Sequence, residues 1–224
     1  MLFATLGEVF RLFRAKAFRR QFLLSLPLAL ALLVAALALS MLAIDRFGPE
    51  ESRSPQHFAD FFGISGISVL LVTSMVLMTP VAAVFAGLSA GPVASVTEDQ
   101  RWSMRVPDPG PPPLKDVVNF TGLLVGANLL TILLILTLVG LGWTLALLIW
   151  PVLNGALLGR EYFTLIARRH LGEAELARLR QQHFGQIWLA GFAMALFLSL
   201  PVLNLAVPFL GLSWFTLIFH RLRA

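Results

Sequence analysis

Two adjacent arginines, Arg19 and Arg20, stand just before the first long uncharged stretch of the chain. Guanidinium forks match the oxygens of a tetrahedral oxyanion, so such a pair at a pore mouth can hold one; the same pair also serves as an inner-leaflet anchor. Asn204 is the second candidate. It lies between Pro201 and Pro208, where an interrupted helix would leave amides facing a water-filled path or an anion. The sequence offers no carboxylate pair, nucleophile constellation or phosphate-binding glycine loop. With no cysteine, thiolate zinc, iron–sulfur and thiol chemistry are excluded. His57, His170, His183 and His220 are scattered over linkers and termini and read as solvated or interfacial side chains. The expectation is therefore no enzymatic activity, no metal and no cofactor. A net charge of +5 raises nucleic acid as a partner, but the basic residues flank apolar blocks and do not form a patch interleaved with aromatics, so none is expected.

The elements that must carry these residues are set by the bilayer. Of the 224 residues 58% are hydrophobic and only 13% charged, with a mean hydropathy of +0.82, which excludes a soluble globular domain. A single integral membrane domain, 1–224, is expected, built on four charge-free blocks. Residues 1–21 read as an interfacial helix, with Leu2, Phe3, Leu6, Val9, Phe10, Phe13 and Ala17 on one face. The first block, 22–44, is a full span with Pro27 in its first turn. Ala36 and Ala38 imitate a signal-peptide cleavage site, but the charged leader and the apolar run are both too long for one. The second block, 63–96, is too long for one helix of average tilt and too short for two, so a span with a broken end is expected, with Pro80, Gly87, Gly91 and Pro92 as the breaking points.

The third block, 117–159, reads as a helical hairpin around Gly140 and Gly142. Residues 160–186 read as a cytoplasmic helical linker. The fourth block, 187–219, cannot supply two spans and a turn, and its central prolines Pro201 and Pro208 favour a re-entrant hairpin. Of the 17 basic residues only Arg46 and Arg53 fall in the loop between the first two blocks, so that loop is expected outside and both termini in the cytoplasm. Interior polar groups such as Ser25, Thr79, Asn128 and Asn154 read mainly as hydrogen-bonding glue between helices. Glycines four apart, Gly87 with Gly91, Gly122 with Gly126 and Gly155 with Gly159, permit close helix approach within one subunit or between copies.

Several short motifs recur in matching order along nearly the whole chain: Arg19 and Arg20 before Leu26-Pro27-Leu28, Phe85-Ala86-Gly87-Leu88, the glycine turn at Gly140 and Gly142, Gly159-Arg160-Glu161-Tyr162-Phe163 with Arg169-His170, and Leu200-Pro201-Val202-Leu203-Asn204 with Pro208. Together they resemble the CysZ-type sulfate permeases, which share a domain family with the eukaryotic etoposide-induced protein. The resemblance implies a bacterial inner-membrane protein that admits sulfate for cysteine synthesis, is embedded in lipid, assembles as a homo-oligomer and carries hairpins that penetrate only part-way. It also implies a sulfate site at a Gly-Leu-Leu-Ala-Glu stretch near the arginines. Here that stretch reads Gly87, Leu88, Ser89, Ala90 and Gly91, with Ser89 replacing Leu and Gly91 replacing Glu. The expected site is Arg19 and Arg20 with Gly87 and Leu88, which supply amides freed where the second block breaks, and Ser89, which adds a hydroxyl donor. With no ionisable residue in any block, uptake of sulfate or a similar oxyanion is expected to be passive or weakly coupled. The alternative is a non-transporting membrane scaffold, which dry, self-satisfied polar groups in the hairpins would favour.

Overall fold

A computed structural model describes residues 2–47, 64–104, 106, 113–138, 143–198, 200, 203 and 205–223. Among them the chain is all α: α1 (Leu2–Leu12), α2 (Lys16–Phe47), α3 (Ile64–Trp102), α4 (Leu114–Leu138), α5 (Trp143–Ala167), α6 (Glu173–Gln182), α7 (Phe184–Leu198) and α8 (Val207–Arg223). Both α2 and α3 contain stretches long and apolar enough to cross a bilayer, and α4 and α7 contribute shorter apolar helices. The expected all-α membrane architecture is what the chain adopts.

Several helix bounds differ from the sequence reading. Residues 1–21 do not form one helix: α1 ends at Leu12, residues 13–15 turn, and Lys16 begins α2. The cause is aromatic packing, because Phe13 meets the rings of Phe18 and Phe22 at 5.1 Å, and these in turn meet Phe209 of α8 at 5.1 and 5.2 Å. Part of the α1 apolar face is accordingly spent on protein, with Val9 and Leu12 buried and the Trp214 indole donating to Thr5 at 2.8 Å. Pro27 then falls well inside α2, not in its first turn.

The break expected in the second block does not occur, since α3 runs unbroken through Pro80 and Pro92. A proline removes one N–H, and helices that pack around it can hold the remaining turns in place. Here α3 is the central helix, touching α2, α4, α5 and α8, and its small residues Ala82, Ala83, Ala86, Ala90 and Ala94 are buried among them. Residues 160–167, expected as linker, are instead the last two turns of α5, with Tyr162, Phe163 and Ile166 fully buried. The Tyr162 hydroxyl donates to the carbonyl of Ala82 in α3 at 2.9 Å.

The two hairpins are present as helix pairs, α4 with α5 and α7 with α8, although the glycine turn at Gly140 and Gly142 lies outside the described residues. The fourth-block arms have 15 and 17 residues, below the ~20 that a full crossing needs. They pack mainly on other helices: α7 lies along α5, while α8 sinks into α3 and α5 with Val207 to Phe209 and Gly211 to Phe219 buried.

The α5–α7 contact is made by glycine. A Cβ on Gly191 would meet the carbonyl oxygen of Gly155, one on Gly155 would meet Phe192 Cα at 2.5 Å, and one on Gly159 would meet the carbonyl oxygen of Ile187 at 2.5 Å. The Gly155–Gly159 pair therefore serves packing within the subunit, whereas Cβ atoms at Gly122 and Gly126 would meet nothing within 4 Å.

In the α4–α5 hairpin, Asn128 Nδ2 donates to Asn154 Oδ1 at 3.2 Å, and Asn128 Oδ1 accepts from the Trp150 indole at 2.8 Å. The spare amide donors go to carbonyls one turn back, Leu124 and Trp150. Ser25 likewise donates to the Gln21 carbonyl at 2.8 Å. Asn128 and Asn154 thus join two helices as the sequence reading expects, whereas Ser25 bonds back within its own helix and the buried Thr79 Oγ1 finds no hydrogen-bond partner among the described residues. Replacing Asn128 by Leu strands the Trp150 indole and should cost about 1–2 kcal/mol. A detergent melt indistinguishable from the parent would show that the network contributes nothing.

Candidate functional site

The residues expected to form the anion site lie on neighbouring helices. Arg19 and Arg20 occupy the first turns of α2 and are both exposed. Gly87 and Ser89 are buried inside α3, and Leu88 is half exposed on its outer side. Because α3 is continuous, the amides of Gly87 to Ser89 are committed to helix carbonyls, and the expectation that they are freed for a ligand is overturned. Asn204, the pore candidate, lies outside the described residues.

The structure instead gathers polar side chains at one end of the bundle, where the ends of α3, α5 and α8 meet. Glu98 lies just past Val96, the last residue of the uncharged part of α3, and its side chain is 0% exposed. Three donors converge on it. His170 Nε2 stands 2.8 Å and His220 Nε2 3.2 Å from Glu98 Oε1, while Arg169 Nη2 stands 3.3 Å from Oε2. An ionised carboxylate only accepts, so both imidazoles present Nε2–H to it. Arg169 is itself pinned, since Nη1 donates to the Gly91 carbonyl at 2.7 Å and Nη2 to Ser95 Oγ at 2.9 Å. The rings are held as well: His170 stacks on Phe219 at 4.9 Å, and His220 lies 4.4 Å from Trp102.

The cost of burying the Glu98 carboxylate is offset by the hydrogen bonds from His170 and His220 and by the charge of Arg169. A more exposed ion cluster lies at the same end, where Glu8 of α1 pairs with Arg221 and, at 3.6 Å, with Arg101.

Glu98, His170 and His220 are also a possible metal-ligand set, with one ligand atom from each lying within 4.8 Å of the others. Arg169 argues against that use. It places a fixed positive charge on the other oxygen of the same carboxylate, and the inward N–H donors suit an anion. A half-open cleft of about 380 Å³ between α5, α6 and α7 carries Arg160, Arg180 and Trp188 over Leu157 and Ile187. Cationic and apolar walls of that kind suit a lipid head group and its chain.

Taken singly, Glu98 lies beyond the second block, which ends at Val96, and His170 and His220 read as solvated or interfacial, so the cluster is not anticipated. A signal existed. Gly91, Ser95 and Glu98 are spaced four and three apart on one helix face, and Arg169-His170 stood among the motifs that carried the resemblance.

The family model described as Sulfate transporter CysZ/Etoposide-induced protein 2.4 matches residues 5–208. No curated protein matches the chain.

Proposed function

We propose that this chain, which belongs to the Sulfate transporter CysZ/Etoposide-induced protein 2.4 family, takes up sulfate or a similar oxyanion across the inner membrane by a passive or weakly coupled path. The observation that carries this reading is the family match itself, which runs from α1 through α7 to the first two residues of α8. The chain is read as a transporter and not as an enzyme. The distribution of basic residues supports cytoplasmic termini, and the polar end of the bundle, joining α1 to the ends of α3, α5 and α8, is then its cytoplasmic end. The short arms of α7 and α8 support a hairpin that dips in and returns.

Arg19 and Arg20, exposed at the start of α2, have the chemistry to receive a dianion at the inner mouth. The closed Asn128–Asn154–Trp150 network favours the second reading, a non-transporting scaffold, because polar groups in that hairpin are satisfied by one another. The open face of Gly122 and Gly126 is available to a second copy in a homo-oligomer, or to lipid.

Sulfate flux into liposomes containing only this protein decides between the two readings. Uptake that follows the sulfate gradient and persists without a pH gradient is the expected result; sealed liposomes with well-folded, inserted protein and no flux would establish the scaffold. Replacing both arginines by glutamine should leave folding intact and weaken sulfate binding roughly tenfold or more, since charge-assisted hydrogen bonds contribute ~1.5–3 kcal/mol each. Unchanged binding and flux would leave the pair a membrane anchor only.

A further inference from the structure

We propose that Arg169, His170 and His220 form an oxyanion seat that the protein's own Glu98 carboxylate fills, and that an incoming sulfate-like dianion binds there by displacing it. The proposal deepens the uptake reading by assigning its anion a place, and it rests on that reading for the identity of the ligand.

The argument begins with the donor set. A carboxylate presents about four lone-pair sites, and this one, fully buried, receives N–H groups from three side chains on two other segments, the turn after α5 and the last turn of α8. Guanidinium and imidazole N–H groups converging on carboxylate oxygens are also what binds the oxygens of a tetrahedral dianion. The seat is preorganised independently of its occupant. Arg169 is fixed by the Gly91 carbonyl and Ser95 Oγ, and the two imidazoles are fixed by Phe219 and Trp102, so all three donors keep their positions when Glu98 swings away.

Glu98 is tethered within the last two turns of α3, followed by exposed Asp99 and Gln100. The displacement requires the carboxylate, 0% exposed in the seat, to withdraw by rotation about its own side-chain bonds. A tethered anion in the seat also excludes other solutes, because a ligand enters only if it replaces the charge and hydrogen bonds it removes. Cations find a buried arginine, and neutral molecules leave the donors without their anion.

The test is sulfate binding to the purified full-length protein, measured by calorimetry and by the thermal shift on adding sodium sulfate, for the parent and Glu98→Gln. Removing the tethered competitor should tighten sulfate binding about tenfold or more and give a larger sulfate-dependent rise in melting temperature. Adding His220→Phe to Glu98→Gln should abolish the gain. Glu98→Asp, which draws the carboxylate back by one methylene, serves if the glutamine variant does not fold, and an intermediate gain is expected.

Folded Glu98→Gln that binds sulfate no tighter than the parent would overturn the proposal. Stoichiometric zinc binding by the parent, lost on His170→Ala, would overturn it too and make the cluster a cation site. The uptake reading fails separately. Tighter binding without liposome flux leaves the seat and removes transport, whereas flux with unchanged binding in Glu98→Gln leaves transport and removes the seat.

Discussion

Gly191→Val is expected to abolish the folded state in detergent. The α5–α7 contact has no side chain at its closest point: a Cβ at position 191 lands on the carbonyl oxygen of Gly155 and within 2.6 Å of the Gly159 backbone. Flexible side chains can yield to an added methyl, but helix backbone cannot, so the two helices must separate. Separation also loosens Tyr162, Met194 and Gly211, which meet nearby, where a Cβ on Gly211 would touch Met194 Sδ at 2.8 Å and Tyr162 at 3.1 Å. Overpacking costs typically ~1–3 kcal/mol where the surroundings can relax, and more is expected where they cannot. Gly185→Val, on the same helix, is the control, because its Cβ meets nothing within 4 Å. Size-exclusion profiles and thermal melts of the two variants check the prediction. A Gly191→Val protein that stays monodisperse and melts within about 2 °C of the parent would mean that the helices do not approach this closely.

How far the sequence foretold this fold varied with the range of the interaction that decided each feature. Membrane character and helical class follow from composition, and the helix pairs follow from block length, because both depend on the chain meeting lipid. The Gly155–Gly159 spacing likewise pointed to a close helix contact, although it did not name Gly191 as the partner. Readings based on local breaking power did worse. Pro80 and Pro92 end a helix that stands alone, yet α3 has neighbours on several sides that keep it continuous. The division of residues 1–21 was hidden for a similar reason, since the turn at 13–15 is fixed by Phe209, nearly two hundred residues later.

Among the candidate site residues, Arg19 and Arg20 were legible because adjacent charges before an apolar block are a local pattern. Glu98 was not. Its burial makes sense only beside groups 71, 72 and 122 positions away in the chain. A carboxylate two residues beyond an uncharged block otherwise reads as the start of a solvated linker.

Arg169→Met is expected to produce the second large loss of stability, and the reason separates a buried ion pair from ordinary packing. The Arg169 and Glu98 side chains are 1% and 0% exposed, so the substitution leaves a carboxylate in the interior with two imidazole donors and no fixed positive charge. Breaking a buried pair by removing one partner costs about 3–5 kcal/mol, most of it the penalty of the charge left behind. Two further acceptors lose their donor, the Gly91 carbonyl and Ser95 Oγ. Arg169→Lys should recover only part of the loss, because a compact ammonium keeps the charge but cannot reach acceptors on both sides as the planar fork does. The distinguishing measurement is the double variant Arg169→Met with Glu98→Gln. If the stranded carboxylate is the cause, removing its charge should make the double variant more stable than Arg169→Met alone, with a coupling of about 1–3 kcal/mol in a double-mutant cycle of detergent melts. Additive losses would instead assign the cost to packing of the arginine stem, and a parent-like melt for Arg169→Met would remove the buried pair as a determinant of stability.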